Sequence, residues 1–281
     1  MVPWLYMSPA LLFLAAFLVH PVVNTAYISF MNADSTRFVG LDNYAFVATN
    51  NEMLTVFRNN LLWLTLFTAM VVILGLLLAV LTNQVRYEAT AKAAIFIPMA
   101  ISFTAAAVIW RFMYLYQPKG FEQSGVANAA LVGLGGDPVA WLVNPSVANL
   151  ALIAAGVWMW TGFAMVVISA GLKGIPTEVM EAARVDGATE FQIFRRVILP
   201  MLTPVLVVVI VTMTINSLKV FDLVYVMTSG NYGTDVIATR MFREMFTFAN
   251  FGRASAVAVI LLLAIVPVML INVRRFRREG G

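Results

Sequence analysis

The chain of 281 residues contains no cysteine. That excludes a disulfide framework, a thiolate nucleophile and any thiolate-ligated metal centre. Histidine is nearly missing too. The one copy, His20, sits beside Pro21 in an apolar run, where an imidazole reads as a satisfied or interfacial group rather than a chemical one. Charge is scarce: charged residues make up 11% of the chain and hydrophobic residues 61%, against about a quarter and about half in a soluble globular domain. A packed soluble core does not need that excess; a chain that faces hydrocarbon does. The 18 Lys and Arg against 14 Asp and Glu do not point to nucleic acid. They form no stripe with interleaved aromatics, but sit in short clusters beside apolar segments. There is no G-x-x-x-x-G-K-[ST], no H-E-x-x-H and no G-x-S-x-G, so phosphate cradling, zinc proteolysis and serine hydrolysis all lack their usual devices. The run Gly-Leu-Gly-Gly at 133–136 follows no strand, is too short for a dinucleotide fingerprint, and is expected to be an external turn.

What is present is length without charge. A helix needs about 20 mostly apolar residues to cross a bilayer, and six stretches qualify: 9–30, 60–82, 93–114, 148–171, 200–219 and 254–273. None alternates in polarity as a barrel strand would, and helices satisfy their own backbone groups in lipid. The expected fold is therefore an all-α membrane bundle in one domain over 1–281. The first stretch lacks a basic leader and a small-residue cleavage site, so it is expected to be a retained span rather than a signal peptide. Arg274, Arg275, Arg277 and Arg278 place the C-terminus in the cytoplasm, and six spans bring the N-terminus there too. The loops 83–92 (Arg86, Lys92) and 173–199 (Lys173, Arg184, Arg195, Arg196) are then cytoplasmic. The segments 31–58, 115–147 and 220–253, whose cations are balanced by acids, are external. Trp110, Tyr114 and Tyr116 suit an interfacial belt at the outer end of the third span.

The polar stretch "EAARVDGATEFQIFRRVILP", 181–200, interrupts this pattern. Pro176 and Thr177 suit a helix start, with Glu178 in the first turn, where the helix dipole favours an anion. "TEVMEAARV" reads as a short helix whose Ala182 and Ala183 let another backbone approach. Gly187 can take positive φ and stop it. Thr189 and Gln192 have capping-box spacing for a second helix. Phe191, Phe194 and Val197 or Ile198 give that helix an apolar face, and Pro200 fits the entry to the fifth span. So short a pair is marginal alone in water. It either docks on a partner or lies on lipid headgroups, and the residues themselves leave both open.

The same stretch resembles the EAA loop of permease subunits of binding-protein-dependent ABC importers. Glu181, Ala182, Ala183, Gly187, Leu199 and Pro200 match, with Val197 standing where the pattern has Ile. "SPALLFLAAFLVHPVVNTAYISF", "FVGLDNY", "AAIFIPMAIS", "GLKGIPTEVMEAA", "FDLVYVMTSG" and "FGRASAVAVI" extend the likeness to the maltose-type and glycerol-phosphate-type sugar branch. The maltose-type protein has extra N-terminal spans and a large external insertion, so this chain is more similar to the shorter six-span members. The resemblance implies a type I importer permease in the bacterial inner membrane, without catalysis or cofactor of its own. It implies a second permease, two ATP-binding subunits that hold ATP and Mg, and an external solute-binding protein. It makes 173–199 a coupling helix seated in the ATPase, with Glu181, Ala182, Ala183, Asp186, Gly187, Leu199 and Pro200 as coupling residues.

The resemblance also places cargo contacts on one face each of the fourth and fifth spans: Gly156, Met159, Trp160 and Phe163, then Met213, Asn216, Ser217 and Val220. Each set has i, i+3, i+4, i+7 spacing and so forms one stripe. Aromatic rings with amide and hydroxyl groups suit an uncharged glycan; ordinary helix packing uses the same residue types. Lys219 and Asp222 are expected to pair or to gate. An anionic cargo such as glycerol phosphate would want fixed cations within the spans, and few are there. An ion-driven secondary transporter would want membrane carboxylates, and the six stretches contain no Asp or Glu. A membrane scaffold is the reading without transport.

Overall fold

The computed structural model describes residues 2–83 and 85–279, without the side chains of Val2, Pro3, Leu5, Val268 and 271–279. The arginine cluster 274–278, which carries the expected C-terminal orientation, therefore has its side chains outside the described residues. Among the described residues there is no β-strand; one isolated bridge pairs Met31 with Phe38. Helices Tyr6–Ile28, Asn51–Thr82 and Ala148–Lys173 are each long and apolar enough to cross a bilayer. The expected sixth stretch lies on helix Phe251–Glu279, whose part Phe251–Pro267 is a shorter apolar helix. His20 is exposed on the first of these helices.

The third and fifth stretches are not straight spans. Glu88–Ala100 and Phe103–Met113 meet at 98°, and Glu190–Met201 and Thr203–Leu218 at 65°. Each break has a local cause. Pro98 has no N–H to donate and crowds the preceding turn. The chain tightens into a 3₁₀ turn over Ile97–Ala100, Ile101 becomes extended, and Ser102 Oγ accepts from the backbone N–H of Ala105 at 3.2 Å to start the next helix. In the fifth stretch Pro204, in the first turn of Thr203–Leu218, cannot donate back across Leu202. The expectation of one uninterrupted helix over 93–114 is corrected, because mean apolarity is blind to these corners.

The chain divides into two compact units, one of residues 1–58 with 235–281 and the other of 59–234. In the first, Val47, Met53, Val56, Ile237, Ala256 and Val257 form the core. Arg240, itself buried, binds Glu52 at 2.6 Å and Glu244 at 2.8 Å, and Arg243 binds Asp235 at 3.3 Å. Burial nevertheless pushes the Asp235 carboxyl above its usual range, against the hydrogen bond from Thr239 and the pull of Arg243.

The second unit is built around the fourth span, Ala148–Lys173, which packs chiefly against Thr68–Thr82 and also against Glu88–Phe96. Two glycines permit this. A Cβ at Gly75 would overlap Ala164, and one at Gly162 would overlap the carbonyl oxygen of Ile95. Close backbone approach at small residues is how helices associate where no hydrophobic effect separates protein from lipid. The run Gly-Leu-Gly-Gly is a turn after helix Val126–Gly133, with Gly135 at φ +85°.

Candidate coupling knob and transmembrane cleft

The polar stretch folds by local rules. Thr177–Val185 is a helix with Glu178 in its first turn. It ends at Gly187, φ +83°, where the amide of Ala188 returns to the carbonyl of Ala183 at 3.0 Å and that of Gly187 to Arg184 at 3.0 Å. Thr189 then starts a second helix with a complete capping box. Its N–H donates to Gln192 Oε1 at 2.8 Å and its Oγ1 accepts from the Gln192 amide at 3.3 Å. Arg184 clamps the two helices by binding Glu190 at 2.7 Å, and its guanidinium holds the Glu190 carboxyl below the usual carboxylate range.

The knob is ordered by its own bonds yet buries little. Helix Thr177–Val185 has no buried residue, and Val185 is 87% exposed. The expected apolar face of the second helix is partly corrected. Ile193 is the side chain that packs inward, while Phe191, in the first turn, is left 71% exposed. Of the expected coupling residues, Glu181, Ala182, Asp186, Gly187 and Pro200 are exposed, and Ala183 and Leu199 are half-buried. A π-helical turn over Phe194–Ile198 then leads to Pro200 and the 65° corner.

Beside the knob's root lies a polar clasp that the sequence did not announce. Lys92 binds Glu88 at 2.5 Å and Asn83 Oδ1 at 2.5 Å, and also Ser169; Ser169 donates to Asn83 Oδ1 at 2.6 Å; Lys173 binds Glu88 at 2.6 Å. It ties the cytoplasmic loop expected at 83–92 to the last turns of the fourth span, a few residues ahead of Thr177.

At the far end of the fifth span a cleft of about 270 Å³ is lined by Trp63, Phe67, Phe103, Trp160, Asn216, Lys219, Val220, Phe221, Asp222 and Leu223. It gathers Trp160, Asn216 and Val220 from the expected cargo stripe. The other stripe residues stand behind or beside it. Met159, Met213 and Ser217 are buried in packing, and Ser217 Oγ donates to Thr214 O at 2.8 Å. Phe163 meets the edge of Trp160 at 5.7 Å. Gly156 makes room, since a Cβ there would come within 3.1 Å of the Trp63 ring and 3.3 Å of Phe67. Asn216 donates its amide N–H to Thr212 O at 2.9 Å and lines the cleft.

Four aromatic walls, Trp63, Phe67, Phe103 and Phe221, lie outside the expected set. Trp63 and Phe67 come from a π-helical turn, Trp63–Phe67, that brings both rings inward with centroids 5.5 Å apart. Single π turns occur often at functional sites, but nothing in the residue pattern marks one. Phe103 enters only because the third span breaks just before it, and its ring lies 5.9 Å from Trp160.

Lys219 and Asp222 both line the cleft, but no ion pair joins them. The helix ends at Leu218 and a new one begins at Asp222. The i, i+3 neighbourhood that would have paired them does not exist, and that expectation is corrected. The interfacial belt is also revised. Tyr116 is exposed, but Tyr114 is buried and its hydroxyl donates to Ala151 O at 3.1 Å inside the protein.

Comparison with known proteins follows the same lines. Residues 71–278 match the family described as binding-protein-dependent transport system inner membrane component. The osmoprotective compounds uptake permease protein GgtC of Synechocystis sp. is 57% identical over 98% of this chain and 99% of its own length. The alpha-glucoside transport system permease protein AglF of Rhizobium meliloti is 44% identical over 99% of this chain and 83% of its own. Among solved structures, a chain of a bacterial ABC transporter that imports the acidic polysaccharide alginate superposes with a TM-score of 0.82 at 24% identity, covering 98% of this chain and 95% of that one. That likeness supports the type I importer permease fold.

Proposed function

The chain belongs to the family of binding-protein-dependent transport system inner membrane components, whose match spans residues 71–278, and from that membership we propose that it is the non-catalytic membrane permease of an ATP-driven importer of carbohydrate, an oligosaccharide or glycoside. One observation carries the coupling role. The knob at 177–193 is rigidified by its own capping box, glycine stop and Arg184–Glu190 clamp, yet no residue of its first helix is fully buried within the chain. An ordered peg with no cost to its own fold if it is gripped fits a cleft on another subunit. That subunit is an ATPase present in two copies, which binds ATP and Mg. A second permease completes the pathway, and an external solute-binding protein delivers cargo. Both termini and the knob face the cytoplasm of a bacterial inner membrane.

Mechanically, closure of the ATPase pair moves the peg as a rigid body. The clasp at Lys92, Glu88 and Lys173 carries that movement to the third and fourth spans. Import requires that ATP favour one access state over the other; equal affinity for both would move nothing. The cleft is lined by the aromatic residues Trp63, Phe67, Phe103, Trp160 and Phe221, the amide residue Asn216, and one charge of each sign, Lys219 and Asp222. Such a wall suits an uncharged sugar. It also disfavours the second reading, glycerol phosphate or another anion, because Asp222 offsets the single lysine. The glycoside transport named for AglF supports the same cargo class.

The test is reconstitution of the chain with its second permease, ATPase and binding protein in liposomes. Sugar uptake should require ATP, and Ala182→Trp should leave insertion intact while abolishing binding-protein-stimulated hydrolysis. Uptake driven by an ion gradient without ATP would refute the reading.

A further inference from the structure

A second, larger cavity of about 630 Å³ has no part in the site described so far. Its walls are the outer turns of helix Phe103–Met113, the segment 140–143, and the segment 226–232. It shares two of its walls with the cleft. Helix Phe103–Met113 offers Phe103 to the cleft and Arg111 to this cavity; helix Asp222–Thr228 offers Asp222 and Leu223 to the cleft and Val226 to Thr228 to this cavity. The two helices pack together, and Arg111 Nη1 donates to Val226 O at 3.3 Å. At 1.5 Å per helical residue, the step from one cavity to the next is roughly 6–12 Å along these walls. The fourth span, with its N-terminus near this cavity and its C-terminus at the knob, separates the two by roughly 39 Å.

The lining is chemically distinctive. Tyr114 and Trp141 pack at 5.8 Å with a 36° tilt. Their polar tips are already engaged within the protein: the Tyr114 hydroxyl donates to Ala151 O at 3.1 Å and Trp141 Nε1 to Asn128 Oδ1 at 3.0 Å. Aromatics that anchor at a membrane interface present their tips to water and headgroups. These two keep their tips inside; Tyr114 is buried against Trp110 and Trp141, and Trp141, half-buried on top of it, is the ring that the cavity reaches. Arg111 is the one charged residue of the lining, and its bond to Val226 leaves most of its five donors available. In the same lining, Ser229 at φ 55° and Tyr232 at φ 56° hold the left-handed region without being glycine, within one short turn that exposes Asn231 and Tyr232. Non-glycine residues are held there only at a cost in backbone strain, and such strain gathers at binding sites.

Building on the carbohydrate reading above, we propose that this cavity is a first saccharide subsite, where a neutral sugar stacks on Trp141, held in place by the buried Tyr114 behind it. Arg111 and Asn231 hydrogen-bond its hydroxyls, and the sugar then passes along the shared helices into the cleft. Cargo would thus move through two sites in series.

Because the chain has no cysteine, single cysteines report directly. Val143→Cys and Tyr116→Cys lie in the cavity, and Val220→Cys lies in the cleft. Each variant is assembled with cysteine-free partner subunits in nanodiscs, shown to co-purify with them, and labelled with a maleimide in the absence of binding protein. Trehalose and sucrose are the probes and sorbitol is the control. At about ten times its Kd a sugar should slow labelling of both outer cysteines about tenfold, with no effect of sorbitol. Unchanged labelling of the outer pair overturns the proposal. If Val220→Cys is then still protected, the carbohydrate reading stands without it; if nothing is protected and no sugar is imported, both fall. Shielding of the outer pair in lipid but not in detergent, regardless of sugar, would assign the cavity to a phospholipid and equally overturn the proposal.

Discussion

Gly187 offers a graded test of the coupling knob. Its φ of +83° is open to glycine and closed to most side chains, yet a Cβ built there meets nothing within 4 Å. Substitution therefore acts through the backbone alone. Gly187→Ala carries a left-handed penalty of roughly 1–2 kcal/mol. The reduced freedom of the unfolded loop returns roughly 0.4–1 kcal/mol of it. A net cost of about 1 kcal/mol lowers the population of the docking geometry about fivefold. The apparent affinity for the ATPase subunit should fall by the same factor. Gly187→Asn, which tolerates this region, should fall less. Gly187→Pro fixes φ near −65° and removes the amide that donates to Arg184 O at 3.0 Å. A loss of about 3 kcal/mol or more would leave stimulation of hydrolysis undetectable. The assay is titration of ATPase subunits onto the permease in nanodiscs, read as binding-protein-stimulated hydrolysis, with thermal unfolding of the permease as control. Because no residue of the knob's first helix is fully buried, unfolding should move little. The reasoning is refuted if Ala and Asn behave alike, or if Pro retains stimulation.

Other expectations follow from the same geometry. Trp160→Ala should raise the apparent KM for sugar about tenfold, through lost ring stacking of order 1–1.5 kcal/mol; an unchanged KM would remove Trp160 from the pathway. Gly162→Leu should destabilise the detergent-solubilised permease by about 1–3 kcal/mol in thermal unfolding, because its Cβ overlaps Ile95 O and the backbone at Phe96. The Arg184–Glu190 clamp should depend on pH. Glu190 is held below its usual pKa in the folded knob, so its contribution is fully present above the unfolded carboxylate value and is lost as pH falls through the depressed one. Coupling measured on the wild type and on Glu190→Gln should converge only in acid. Lys92→Met should reduce sugar transported per ATP hydrolysed while leaving ATPase binding intact, if the clasp transmits movement; an unchanged ratio would make it structural only.

The knob was legible in the sequence because its chemistry is local. Thr177–Val185, the stop at Gly187 and the Thr189–Gln192 box depend on residues within a turn of one another, and the structure has each of them. The apolar lengths were legible for the same reason. What could not be read was direction. Hydropathy gave 93–114 as one stretch, and Pro98 alone did not say that Ile101 would turn extended and aim Phe103 at Trp160. Lys219 and Asp222 looked like neighbours on a helix that in fact stops at Leu218. Of the cargo stripe, Trp160, Asn216 and Val220 reach the cleft, while Met213 and Ser217 face packing. A periodic stripe names a face without saying what lies opposite. Trp63 and Phe67 had no signal at all, since a π turn arises from tertiary fit rather than from spacing.

That π turn at Trp63–Phe67 has a bearing on how the cleft could diverge among related chains. A π turn amounts to one residue more than an α-helix would use over the same rise, and losing that residue would close it to a regular α-helical turn, with the flanking segments kept in register and the side chains of the turn itself re-aimed. A single-codon deletion between Asn59 and Met70 would thus leave a helix of nearly unchanged length and apolarity while swinging one of the two rings away from Gly156. Homologues that differ here by one position in length, rather than by any substitution, would be expected to differ in what their cleft accepts.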